Sequence, residues 1–474
     1  MRSATRWCVL VLGMSGCSGS MTPVPPTPVA PMAPALAISC SDSIDQIYAM
    51  PSGLPAFDAS HRGDVASCAV DQHLSAQALR DASVAFGYTG NALTEGAFGY
   101  RIAYRTERLQ ATDGSTPGGL SSAVVFFPEH PKDNAPLVVY AHGSTGLAAR
   151  CAPSRSDPWV PILALVGQGY PVIAPDYAGF GYGDAPGWSV SADEAHSLLD
   201  ATRAFANLVP AASRPTKVVL VGHSQGGHGV LSAQSLAKDY GLSGELVGVA
   251  TLAPFWLTAL SWGALTSSIA GIKTADAPYL VEYMLDYFYS HGALYDGAAN
   301  AGAMFASDKR ATIENALDTQ CLTELADSLP AMMPLASDFF PTAFGDSVGQ
   351  CSLGISDCSD EPAKTWMTRF LADRPALDGT GAPVLIFQGN ADTTIVPTRA
   401  QCGFDKLAKD LAGATAPTIT VTTCADADAT HTTIVPRSID NVAQWIAARA
   451  LGAPEPAACP AWTPVKCDTP PANL

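Results

Sequence analysis

One pentapeptide narrows the folds open to this chain more than any other feature. Gly222-His223-Ser224-Gln225-Gly226 stands directly behind the apolar run Val218 to Val221 and directly ahead of a helical segment, Gly226 to Lys238. A strand that turns into a helix within so few residues brings backbone against backbone. Glycines must therefore stand where side chains would collide, and the serine is thrust outward at the carboxyl end of the strand. The free N–H groups of the helix start face the same point and can hold a developing negative oxygen. Gly227 keeps the following helix close.

Such a turn needs buried strands around it, and the chain supplies them. Leu137 to Tyr140, Pro171 to Ala174, Lys217 to Val221, Leu246 to Leu252, Pro383 to Phe387 and Thr418 to Thr422 are short, nearly continuous apolar or β-branched runs. Between them lie helical patterns at Pro158 to Gln168, Ala192 to Leu208 and Gly226 to Lys238, and this alternation is the βαβ rhythm of a parallel sheet. Ahead of it, Tyr100 to Arg108 and Leu120 to Phe127 read as antiparallel strands. Residues 36 to 98 show no strong strand pattern, with Asp71 to Ser83 helical. The rhythm breaks between Phe255 and Ala382, a stretch carrying Trp256, Trp262, Tyr283, Phe288, Met332 and Phe339 at helix-like spacing. It reads as an ordinary helical subdomain core or as a cap facing the substrate, and one element can be both. The fold class is α/β, a mostly parallel central sheet with helices on both faces and an inserted helical cap.

A serine hydroxyl is a weak nucleophile without a base to take its proton, so a carboxylate and a histidine are expected further on. The run Val384 to Phe387 leads into Gln388-Gly389-Asn390-Ala391-Asp392, which places Asp392 in a loop past a buried strand. Its plainer reading is a turn residue, and Asp426 and Asp428 stand in reserve. Of nine histidines only His431 follows the candidate acid, in a loop ahead of a helical segment from Pro436 to Ala450. His142 and His223 read as structural hydrogen-bonding groups and His228 as buried. The chain order Ser, Asp, His is the order this kind of sheet uses. One oxyanion donor is expected from the backbone N–H of Gln225. A second is expected from the loop His142-Gly143-Ser144-Thr145-Gly146, where Gly143 and Ser144 both remain open and a plain Gly-rich turn is the other reading.

These segments together resemble the secretory lipase family, the lipase-A-like group of α/β-hydrolases. The resemblance rests on His142 to Gly146 with Cys151-Ala152-Pro153-Ser154, on Gly169 to Gly181, and on Gly222 to His228, and it covers roughly Gly99 to Ala450. It implies that Ser224, Asp392 and His431 form a triad and that Gly143 and Gln225 border the oxyanion hole. It also implies that the insertion is a cap over an acyl-binding tunnel, and that carboxylic esters, acylglycerols included, are hydrolysed without a cofactor or metal. The insertion departs too far for a preference in acyl length to be carried over.

The N-terminus lies outside that pattern. Arg2 and Arg6, the apolar run Trp7 to Leu12 and the small residues before Cys17 read as an export signal over residues 1–16. Met14-Ser15-Gly16-Cys17 resembles a bacterial lipobox, whose cysteine is lipidated; ordinary signal cleavage nearby is the alternative. Six prolines between Thr22 and Ala35 make residues 17–36 a tether. The expected organisation is then a core over 37–254 and 383–474 interrupted by the cap over 255–382. Beyond Cys8 and Cys17 ten cysteines remain, enough for five disulfides in an oxidising compartment, and no Cys/His spacing points to zinc. Sequence does not fix the connectivity. Short closures suggest Cys351 with Cys358 and Cys459 with Cys467, and further candidates are Cys40 with Cys68 or Cys402 with Cys424. A net charge of −17 repels phosphate backbones and argues against nucleic acid as a partner. The expected activity is ester hydrolysis through an acyl-enzyme on Ser224 in an exported protein, either a bacterial cell-envelope lipoprotein attached to the membrane through Cys17 or an extracellular enzyme. A polyester or aromatic-ester hydrolase on the same triad, or a non-catalytic surface binding protein of the same fold, are the alternatives.

Overall fold

Alternate side chains of two central strands enter two different cores, and this is what builds the layers. The computed structural model describes residues 32–110, 114–156, 160–255, 259–377, 381–414 and 419–467. The expected export signal, Cys17, most of the tether, Trp256, Pro158 and Thr418 lie outside these residues. Residues Ala33–Leu474 form one compact unit.

Nine strands form one sheet: β1 Val65–Leu74, β2 Ala97–Glu107, β3 Gly118–Pro128, β4 Leu137–Ala141, β5 Val172–Ala178, β6 Lys217–His223, β7 Glu245–Leu252, β8 Val384–Gly389 and β9 Val421–Asp426, in the order β1-β2-β3-β5-β4-β6-β7-β8-β9. The pairings from β5 through β9 are parallel, and β1, β2 and β3 extend the sheet antiparallel. On the body of the sheet run α1 Ile44–Ile47, α2 Ala76–Ala85, α3 Val160–Val166, α4 Ser191–Leu208 and α5 Gln225–Tyr240. Leu137, Val139 and Ala141 of β4, with Val218 and Leu220 of β6, pack into the core of α4 and α5. The residues between them, Val138, Tyr140, Val219 and Val221, pack on the opposite face with α3. Strands buried on both faces need no polar alternation, which is why they read as continuous apolar runs.

Between β7 and β8 the chain leaves the sheet for α6 Ala259–Ser268, α7 Pro278–Asp296, α8 Arg310–Thr319, α9 Leu322–Met332, α10 Thr342–Ser352 and α11 Ala363–Ala372. These helices bury a third apolar cluster of their own, with Met284, Phe288, Phe339 and Trp366 at its centre and Leu147 and Trp188 of the body joining it. The chain then returns through β8, α12 Pro397–Gly413, β9 and α13 Ile434–Leu451, and α13 completes the second face.

Three expectations need correction. The stretch 36–98 does contain a strand: β1 pairs with β2, and the chain becomes helical only at Ala76, not Asp71. Register shifts between Val65 and Ser67 and between Val70 and Gln72 break the period of two, so the strand leaves no clean alternation to read. β9 starts at Val421 rather than Thr418, its register set by Val384 opposite Val421. The disulfides are Cys40–Cys68, Cys151–Cys321, Cys351–Cys358, Cys402–Cys467 and Cys424–Cys459. The pairs Cys459 with Cys467 and Cys402 with Cys424 are therefore not formed. The C-terminal segment folds back over the body, bridging Ala461 to Cys424 and hydrogen-bonding Trp462 Nε1 to Gln401 Oε1 at 2.8 Å, which brings each cysteine to a distant partner.

Candidate active site

Ser224 sits between β6 and α5 with φ +55° and ψ −117°, a conformation that costs an ordinary residue on the order of 1–3 kcal/mol. The surrounding backbone enforces it. Ser224 N–H donates to the Leu252 carbonyl at 3.0 Å, and the Ser224 carbonyl accepts from the N–H groups of Gly227, His228 and Phe255 at 2.9, 3.2 and 2.9 Å. A Cβ on Gly222 would stand 2.1 Å from the Gly226 carbonyl oxygen, and one on Gly226 would stand 2.1 Å from that of Ala141. Three segments of backbone thus touch where the serine is presented, and both glycines are sterically required.

The loops that meet Ser224 all leave the carboxyl ends of parallel strands, where a sheet of this kind opens a crevice. His431, in the turn between β9 and α13, approaches Ser224 Oγ with Nε2 at 2.8 Å. Its Nδ1 donates to Asp392 Oδ2 at 2.9 Å. Asp392, in the loop after β8, is itself fixed: Oδ1 accepts the backbone N–H groups of Thr394 and Ile395, both at 2.8 Å, and the residue is 2% exposed. Because the carboxylate takes the Nδ1 proton, Nε2 is left as the acceptor facing the hydroxyl. Of the reserve carboxylates, Asp426 is held by Arg437 at 2.6 and 2.8 Å, while the His431 ring hydrogen-bonds to Asp392 and Ser224.

The neighbouring histidines brace this arrangement. His223 donates from Nε2 to the backbone carbonyl of His431 at 2.8 Å; burial, reinforced by the nearby His431 ring, pushes its pKa down to about 3 and keeps it neutral. His142 donates from Nδ1 to the Gly143 carbonyl at 2.6 Å and lies 4.4 Å from the Tyr177 ring, with burial lowering its pKa to about 4.

Gly143 lies against the serine, and Ser144 lines the same cavity. A Cβ on Gly143 would stand 3.4 Å from Ser224 Cβ, and Ser144 Oγ accepts Trp188 Nε1–H at 3.0 Å. Among the described residues the backbone N–H groups of Gly143, Ser144 and Gln225 donate to no protein acceptor, so three amide donors remain available around Ser224. For Gln225 this follows from its place as the first residue of α5.

A buried network under the elbow escaped the sequence reading. Gln225 Nε2 donates to Glu194 Oε1 at 2.7 Å, and Glu194 Oε2 meets His228 Nδ1 at 2.8 Å. His228 Nε2 donates to the Asp373 carbonyl at 2.6 Å, and Asp373 accepts Tyr287 Oη–H at 2.7 Å as well as His291 Nε2. Burial opposes charge on His228, yet Glu194 outweighs it and raises the pKa. The signal available in the sequence was position: Glu194 falls on the helical stripe of Leu198, Ala201 and Phe205, which are all buried.

A cavity of about 220 Å³ opens beside Ser224, walled mainly by Trp188, Phe255, Trp262, Leu265, Leu280 and Tyr283. Among the described residues no group of three or more His, Cys, Asp or Glu is placed to hold a metal ion. The geometry equips a hydroxyl with a base, an oriented acid and unpaired amide donors beside an apolar pocket. That combination suits attack on a neutral carbonyl.

Comparison with known proteins agrees in fold. The family described as alpha/beta hydrolase fold matches residues 136–432. Lipase A of Moesziomyces aphidis is 29% identical over 174 residues, which make up 34% of this chain and 35% of that protein's length. The rice cell wall degrading esterase LipA from Xanthomonas oryzae superposes with a TM-score of 0.60 at 18% identity, covering 82% of this chain and 99% of that one. Candida antarctica lipase A in its closed state gives 0.57 at 18% identity over 87% and 88% of the two chains.

Proposed function

The chain belongs to the alpha/beta hydrolase fold family, and on that premise we propose that it is a serine carboxylic-ester hydrolase working through an acyl-enzyme on Ser224. The observation that carries this reading is the unbroken hydrogen-bond chain Ser224–His431–Asp392, at 2.8 and 2.9 Å, on a strained elbow beside an apolar cavity.

His431 Nε2 takes the hydroxyl proton as Ser224 Oγ bonds to the ester carbonyl carbon. The carbonyl oxygen becomes an oxyanion held by Gln225 N–H and by an N–H of Gly143 or Ser144, each donor contributing on the order of 10²- to 10³-fold. Asp392 stabilises the imidazolium that forms. Collapse breaks the bond to the alkoxy oxygen, which leaves as the alcohol with the proton from His431. Water, deprotonated by the same nitrogen, then attacks the acyl carbon, and the acid departs as Ser224 regains its proton. The helices between β7 and β8 act as a cap over 255–382 that shapes the acyl environment. Five disulfides fit an exported protein, and Cys17 serves as the lipid attachment point.

The test compares hydrolysis of short p-nitrophenyl esters by the wild type and by Ser224→Ala. Turnover falls by on the order of 10⁴ or more with the fold kept. A Ser224→Ala protein that retains turnover removes the proposal.

A further inference from the structure

The cavity at Ser224 has a shape that its size alone does not convey. Four aromatic rings wall it. Trp188 stands between Phe255, Trp262 and Tyr283 at centroid distances of 5.4, 5.9 and 6.0 Å, and its plane lies only 17° from that of Tyr283. Phe255 and Trp262 close the box at 5.3 Å. Trp188 comes from the body, Phe255 from the segment after β7, and Trp262 and Tyr283 from α6 and α7, so body and insertion both contribute rings to the wall.

The volume sets the size of the group that these walls can surround. An apolar protein cavity of roughly 150 Å³ takes up one benzene ring. At that density about 220 Å³ seats one ring and roughly three further heavy atoms, whereas a sixteen-carbon chain needs roughly 400 Å³. An eight-carbon chain fits by volume, but it meets the aromatic faces without the quadrupole complementarity that a ring offers in stacked or edge-on contact.

Resting on the serine-hydrolase reading, we propose that this cavity is a subsite for a single aromatic ring joined by two or three atoms to the scissile ester. Trp188, Trp262 and Tyr283 set that preference. The ring can sit on the acyl or on the alcohol side of the bond, and paired substrates separate the two.

The experiment measures kcat/KM by pH-stat for methyl 3-phenylpropanoate against methyl octanoate, and for 2-phenylethyl acetate against octyl acetate, with methyl palmitate as the size control. Each substrate is kept below its solubility limit. One ring ester exceeds its alkyl match by about two- to tenfold, and the pair in which this occurs identifies the side. Methyl palmitate falls below both shorter methyl esters. In Trp262→Leu the ring advantage drops to parity while the alkyl substrate is still turned over; Trp262 Nε1 has no acceptor among the described residues, so the change breaks no hydrogen bond. Should that variant fail to fold, Tyr283→Leu makes the same comparison from the stacked wall. Neither ring ester exceeding its match, palmitate being preferred, or an unchanged ring advantage in the variant each overturns the subsite. Labelling of Ser224 by a fluorophosphonate, run on the same preparation, separates the two failures. A labelled enzyme without ring preference loses only the subsite, whereas an unlabelled one loses the hydrolase reading beneath it.

Discussion

Removing the bridge between Cys151 and Cys321 should cost more stability than any surface change. The bridge joins the segment after β4 to the start of α9, across a sequence separation of 170 residues. It stands where the loop 142–146 meets the inserted helices: Leu322 N–H donates to the Thr145 carbonyl at 3.0 Å, and a Cβ on Gly146 would stand 2.8 Å from Leu322 N. Closing a loop of that length removes about 17 cal/mol/K from the unfolded chain, or about 5 kcal/mol at 25 °C. Over the unit Ala33–Leu474 the entropy of unfolding comes to roughly 0.9 kcal/mol/K, so the expected loss in Tm is about 5 °C. Differential scanning calorimetry of Cys151→Ala, Cys321→Ala and the double variant measures it. All three should share one lowered Tm, because each opens the same loop. A Tm within about 1 °C of the wild type, or a double variant markedly below both singles, refutes the reasoning.

Other perturbations act on the site and its surroundings. Asp392→Asn presents an amide to Nδ1 and reverses the His431 tautomer, so kcat should fall on the order of 10⁴ with the fold intact; steady-state kinetics beside a circular dichroism spectrum would reveal a milder loss. Gly226→Ala places a methyl group 2.1 Å from the Ala141 carbonyl oxygen and should abolish soluble expression of active protein, where a normal yield would contradict the elbow geometry. Glu282 and Asp286, one turn apart on α7, are fully buried, and burial raises both pKa values, that of Asp286 to about 7. A carboxyl whose folded pKa exceeds its unfolded value of about 4 binds more protons in the folded state, so stability is lost as pH rises from about 4 through 7. Asp286→Asn should therefore melt higher than the wild type above pH 7 and alike near pH 4, and superimposable Tm curves across that range would count against the buried charge.

The sequence was readable where local physics decides the structure. The strands β4 and β6 are buried on both faces, so their composition is enough to identify them. The elbow between β6 and α5 announces itself because only glycine fits at 222 and 226. The order of Ser224, Asp392 and His431 follows from the strands that carry them, and the structure brings the three within hydrogen-bond reach. What stayed hidden depends on distant approach. β1 carries bulges that erase its alternation. Cys402 meets Cys467, and Cys424 meets Cys459, only because the C-terminal segment packs back on α12, with Trp462 at 5.2 Å from Phe404. Glu194 belongs to no motif, and its partners Gln225 and His228 reach it from another helix. The helices of the insertion bury their own apolar cluster and set Trp262 and Tyr283 along the cavity.

The decisive measurement is intact-mass and peptide-map analysis after treatment with a fluorophosphonate. One adduct per chain should appear, on the peptide that carries residue 224, and it should vanish in His431→Ala while that protein remains folded. An adduct on another serine, or none on a folded wild type, would mean that the elbow hydroxyl is not the activated nucleophile.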